Sequence, residues 1–162
     1  GGAAALSLID EPMIDAIVGI ASVGAVSNPP AKPTLLVVAA GDLIVTPTFT
    51  HSIYHELQSP KRFVVIEESG HNSFTDACDA IRGGASLTQL ARDAGFPIDP
   101  VLLELGENGC SDADADPREI WAITQHLTVA HLRDAFALDV PPVGLGEGVA
   151  GAFPIDLAIV SE

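Results

Sequence analysis

At 162 residues the chain is sized for one domain, and a chain of this length can bury roughly 70% of its unfolded surface. Seven Lys plus Arg stand against 22 Asp plus Glu, a net charge of -15, which repels phosphate backbones and anionic bilayers and excludes nucleic acid as an expected partner. Apolar residues make up 48% and mean hydropathy is +0.36, yet no run approaches the roughly 18 apolar residues of a membrane span, so the apolar excess is assigned to a core and the acid excess to a solvated surface.

Gly2 to Ile9 is small and apolar and is expected to form a closely packed helix that Asp10, Glu11 and Pro12 stop. The segment carries no basic region or cleavage pattern of a signal peptide, and the first residue is not Met, which fits a fragment or a processed chain. Ile14 to Ala21 and Thr34 to Ala39 are rich in branched residues; runs without polar alternation suit strands buried on both faces, as in a parallel sheet. The Ala21 to Pro33 link has few helix formers and two adjacent prolines, so a crossover there is short or irregular. A helix over Thr48 to Leu57 and a strand over Arg62 to Ile66 complete a βαβ-like alternation, which predicts an α/β fold with right-handed crossovers.

Beyond His71 the pattern is helical and loop-rich: Phe74 to Ile81, Ser86 to Ala94, the acidic linker Ser111 to Asp116, then a long helix with Pro117 in its first turn. Ile120, Ile123, Leu127 and Ala130 recur at three and four, the spacing of a face that packs on a sheet. Trp121 and Phe136 are assigned to the core. From Val140 a Pro/Gly-rich extension leads to Ile155 to Val160, a short strand or a docked segment. The division is therefore 1–139 and an extension, 140–162. Gly144, Gly146, Gly148 and Gly151 are not followed by the Lys-Ser/Thr of a phosphate loop, so no nucleotide site is expected.

The residues that carry chemistry follow two strands. Asp42 comes directly after TLLVVAAG, where open α/β sheets place ligands. His71 comes 29 residues later, after RFVVI and the segment EESG. A loop histidine there can meet the acid of the neighbouring strand, and a carboxylate can hold an imidazole in one tautomer and stabilise its positive charge during nucleophilic acyl transfer. A turn or helix-capping role is the bland reading of Asp42. Gly70 is expected to allow a sharp turn that aims His71. Ser73 or Asp76 is expected to cap the following helix. Ile44 and Phe74 suit either a pocket wall or ordinary packing.

Metal and cofactor sites are not expected. His51 and His55 are four apart but lack a placed third ligand, and the two cysteines, Cys78 and Cys110, form no CxxC. These cysteines either pair or sit as buried free thiols; a bond would stabilise by about 3.5 kcal/mol in the chain-entropy model and implies an oxidising compartment.

The segments PTLLVVAAGDLIVTP, SPKRFVVIEESGHNSFTDAC and REIWAITQHLTVAHLRDAF resemble the α/β-hydrolase superfamily, in which the triad runs nucleophile, acid, histidine along the chain. The likeness is to the dienelactone hydrolase and platelet-activating-factor acetylhydrolase-like branch, similar also to cutinase-like polyesterases, and it covers residues 1 to about 139. Gly1 and Gly2 look like the end of a G-x-S-x-G-G elbow, which puts the nucleophile, a serine or a cysteine, two positions before Gly1. Ser7, Ser22, Ser27 and Ser73 lie in no such motif. The resemblance implies the C-terminal half of a partial α/β-hydrolase fold, with Asp42 and His71 catalytic. It also implies an exported carboxylic-ester hydrolase, secreted or periplasmic, acting on a small-molecule, lipid or polyester ester and inactive as this chain alone. The alternative is a non-catalytic fragment or binding module that retains the scaffold.

Overall fold

The computed structural model describes residues 1–84 and 87–162, with the backbone alone described at Leu87 and Glu147. Three parallel strands, β1 (Ile17–Ile20), β2 (Thr34–Ala39) and β3 (Lys61–Ile66), lie side by side in chain order. A fourth, β4 (Leu157–Ser161), adds antiparallel to β3, with Phe63 opposite Val160. The fold is mixed α/β: a four-stranded sheet with flanking helices.

The uninterrupted apolar run of β2 is explained by its neighbours. Every residue of β2 is buried, and alternate side chains point to opposite faces of a sheet. Leu36 and Val38 pack with Leu6 of α1 (Gly2–Leu6) and with Ile53 and Tyr54 of α2 (Pro47–Glu56). Leu35 and Val37 pack with Ile120, Ile123 and Leu127 of α6 (Pro117–Ala135) on the other face. Each such apolar side chain contributes roughly 1.5–3 kcal/mol when taken out of water, so two-sided burial makes β2 the axis of the core.

The long helix α6 buries Ile120, Ile123, Leu127 and Ala130, the face expected from their spacing, and Pro117 occupies its first turn after Asp116, whose side chain accepts from Arg118 N. Phe136 departs from expectation. It is 52% exposed, because it lies nine residues beyond Leu127, about two and a half helical turns, and so on the opposite side. Trp121 is half-buried and donates from Nε1 to the Ser73 carbonyl at 3.0 Å.

Several boundaries also differ. α1 ends at Leu6, and residues 7–10 continue as turns. The β1–β2 link contains no helix, as its prolines imply. After β3 the expected single helix over Phe74 to Ile81 divides into a 3-10 turn, His71–Phe74, and α3 (Ala77–Arg82). α4 (Leu87–Asp93) matches the next expected helix, whose first residue, Ser86, lies outside the described residues. Sequence reasoning did not find α5 (Pro100–Glu107), although its signal is present: Asp99 caps it by accepting from Val101 N, and Pro100 fills the first turn.

Beyond Val140 the chain places Ile155 in the α6-side core before entering β4. No helix among the described residues is long and apolar enough to cross a membrane.

Candidate active site

The acid and the histidine leave the carboxyl ends of adjacent strands. Beyond β2, Ala40 N donates to Ile66 O at 2.8 Å and Gly41 N to Ser69 O at 2.9 Å, so the two loops continue the strand pairing before they part. Gly41 permits this: a Cβ there would meet Ser69 O at 2.9 Å. Asp42 follows and is 2% exposed.

Both oxygens of the buried Asp42 carboxylate are occupied. Oδ1 accepts from Ile44 N at 2.8 Å and Val45 N at 2.6 Å, closing the loop on itself. Thr46 then caps α2, its side chain accepting from Phe49 N, with Pro47 in the first turn. Oδ2 is left for His71 Nδ1, 2.9 Å away. The turn role and the pairing role of Asp42 thus coexist, one per oxygen. A carboxylate facing Nδ1 selects the tautomer protonated there and leaves Nε2 with its lone pair.

His71 itself opens the 3-10 turn after β3. The sharp backbone turn expected of Gly70 occurs instead at Glu68, whose φ is 51°. Gly70 is extended, and its glycine is required by close approach, since a Cβ would lie 2.5 Å from Gly109 N and 2.6 Å from Gly109 Cα. Ser73, fully buried, likewise serves this turn rather than capping α3: Oγ accepts from Gly70 N at 3.0 Å and donates to Gly109 O at 2.9 Å. Asp76 precedes α3 without a side-chain cap bond, and Thr75 Oγ1 accepts from Ala77 N instead.

The histidine loop is buttressed by residues 108–115, of which sequence reasoning singled out only Cys110, as a possible partner that ties Cys78 and the histidine loop to it. Asn108 Oδ1 accepts from His71 N at 2.8 Å and from Leu43 N at 3.1 Å, while its amide donates to Gly41 O at 2.9 Å. Cys78 and Cys110 form a disulfide, and Arg82 donates to the carbonyls of Cys110, Ser111, Asp114 and Ala115. Nothing local marks Asn108; it lies 37 residues from His71.

His71 lines a cavity of about 320 Å³ together with Gly1, Gly2, Val18, Ile20, Ala21, Phe74 and Thr75. Phe74 is therefore a wall of the cavity as well as a partner of the α6-side core; Ile44 is 48% exposed and does not line it. The first residues reach this cavity because α1 packs against β1, where a Cβ on Gly2 would collide with Ile20 O and Ser22 Oγ. Ser22 is fully buried beneath Gly2.

The other histidines lie elsewhere. His51 and His55 stack edge-on in α2 with ring centroids 4.4 Å apart, beside Phe63, and among the described residues no group of three His, Cys, Asp or Glu is spaced to hold a metal. His126 packs on Phe153, and fully buried His131 receives Arg62 Nη1 at 3.3 Å on Nδ1. No protein-family model matches this chain, and neither does any curated protein.

Proposed function

We propose that this chain is the acid–histidine half of a carboxylic-ester hydrolase of the α/β-hydrolase type, whose nucleophile is the residue two positions before Gly1. The observation that carries this reading is the pairing of a buried, fully occupied carboxylate with a half-buried histidine, Asp42 Oδ2 to His71 Nδ1 at 2.9 Å. Two further features support it. The pair stands at the carboxyl ends of neighbouring parallel strands, and Gly1 and Gly2 line the cavity that His71 lines, so a residue joined to Gly1 is within reach of that space.

In this reading His71 Nε2 takes the proton of a serine hydroxyl or cysteine thiol as that group attacks the ester carbonyl. Collapse of the tetrahedral intermediate breaks the bond to the alcohol, which leaves with the proton from the imidazolium. Water then loses a proton to Nε2 and attacks the acyl-enzyme; collapse of this second tetrahedral intermediate breaks the bond to the nucleophile, which takes the proton back from the imidazolium as the acid leaves. Asp42 holds the ring and stabilises its charge without itself being protonated. The disulfide fits an exported protein.

The test is a chain extended upstream of Gly1 by its own coding sequence, assayed on p-nitrophenyl esters and labelled with a fluorophosphonate or a thiol reagent. Turnover is expected, with the label two positions before Gly1 and activity lost in His71→Ala. Turnover by residues 1–162 alone that disappears in His71→Ala would overturn the placement of the nucleophile. An extended chain that is folded, monodisperse and inert would favour a non-catalytic module on the same scaffold.

A further inference from the structure

Asn108, which belongs to neither loop of the candidate site, hydrogen-bonds to both of them. Its oxygen accepts from the backbone of His71 and of Leu43, and its nitrogen donates to the carbonyl of Gly41. It therefore holds the residues on both sides of Asp42 and the backbone of the histidine that Asp42 faces. The chemistry selects an amide: two N–H groups must find an acceptor while a carbonyl must find a donor within one planar group. A carboxylate has no donor for Gly41 O, and a hydroxyl cannot span the same three partners.

Asn108 is itself placed by its neighbours. Its backbone oxygen accepts from Asn72 N at 3.0 Å, Gly109 packs directly on Gly70, and Cys110 is bonded to Cys78 at the start of α3. We infer that Asn108 is a positioning residue that sets the alignment of Asp42 with His71, and that the Cys78–Cys110 bond keeps Asn108 in place, so that the alignment depends on that bond being intact. This rests on the Asp42–His71 pair being the working pair of the site. A loop between α5 and α6, far from both residues in the chain, thereby controls which nitrogen of His71 carries the proton.

The test uses the full 162-residue chain, labelled with 15N, and reads the imidazole nitrogens and ring protons of His71 by NMR, a readout that general stability does not set. Wild type is expected to show one tautomer, protonated at Nδ1, with a downfield proton protected from exchange by Asp42. In Asn108→Ala that proton signal is lost and both tautomers are present, while far-UV circular dichroism and Trp121 emission stay native. Asn108→Asp keeps the acceptor and removes the donor, and gives an intermediate mixture. Cys78→Ser with Cys110→Ser moves the ring in the same direction.

A folded Asn108→Ala protein with the wild-type His71 ring overturns the proposal. If that variant does not fold, an unchanged ring in Asn108→Asp overturns it equally. An unchanged ring in the folded double serine variant removes the role of the disulfide. Wild type lacking the Nδ1-protonated form refutes the Asp42–His71 reading itself, an outcome distinct from the others because it is seen before any substitution is made.

Discussion

Gly70 and Gly109 cross with their backbones in contact: a Cβ on Gly70 would meet Gly109 N at 2.5 Å, and one on Gly109 would meet Gly70 N at the same distance. This crossing is where the histidine loop and the Asn108 loop are pressed together. Because Gly70 is extended, alanine there fails by overlap alone, whereas alanine at Gly109 must also adopt a φ of +87°. Gly70→Ala is expected to lower stability by about 3 kcal/mol, and Gly109→Ala by more. Urea denaturation followed by the single tryptophan measures both; a change near zero in Gly70→Ala would mean that the loops do not pass so closely.

Asp42→Asn removes the charge while keeping the size of the side chain. In the upstream-extended chain kcat is expected to fall about 10⁴-fold with KM little changed, since an amide can hold the wrong tautomer of His71 and cannot stabilise its cation. Ester hydrolysis at saturating and limiting substrate separates the two constants. Loss confined to KM would argue that Asp42 shapes substrate binding instead.

Acid should weaken the fold through His131. Burial, and then the Arg62 guanidinium against it, lower its pKa below the usual histidine value, with the Pro33 backbone, the Asp134 carboxylate and the Ile17 backbone only partly offsetting them. The unfolded chain therefore binds the proton more readily, and stability rises with pH. The contribution is fully present above about pH 6.5, the unfolded value, and is lost progressively as pH falls below it toward the lowered folded value. Urea midpoints between neutral and mildly acid pH should fall less steeply in His131→Leu than in wild type. Parallel slopes in the two proteins would assign the acid sensitivity to other groups.

Opening the disulfide should act on stability as well as on alignment. Cys78 and Cys110 are separated by 32 residues, a loop whose closure is worth about 3.5 kcal/mol in the chain-entropy model. Thermal unfolding of the double serine variant is expected at a clearly lower temperature than wild type. An unchanged midpoint would show that the contacts of Ser73 and Arg82 with this loop suffice to close it.

Much of the frame was legible from residue order. β2 has the bounds expected of its apolar run, β3 begins one residue before them, and the buried face of α6 is the one its three-and-four spacing describes. These elements share a physical property: their burial is a periodic function of position, so the pattern is written into neighbouring residues. That Asp42 and His71 could meet was legible for a related reason, because each lies in the loop that leaves such a strand and parallel neighbours bring their ends together.

Other features had no local signature. Phe136 has the chemistry of a core residue, and only the helical phase set by α6 turns it outward. β4 could be read as a short strand or a docked extension; it pairs antiparallel with β3, next to Ile155, which is seated in the α6-side core just before the strand. Gly70 was identified correctly as a constrained position and for the wrong reason, since the constraint is the backbone of Gly109, 39 residues away.

By itself the sequence determined the α/β layering and the candidate acid and histidine, because short-range periodicity and strand-end position suffice for both. Only the tertiary structure decided how that pair is held. Asn108, Gly109 and Cys110 reach the site by packing across loops, and a hydrogen bond between residues 37 positions apart leaves no period in the chain that could announce it.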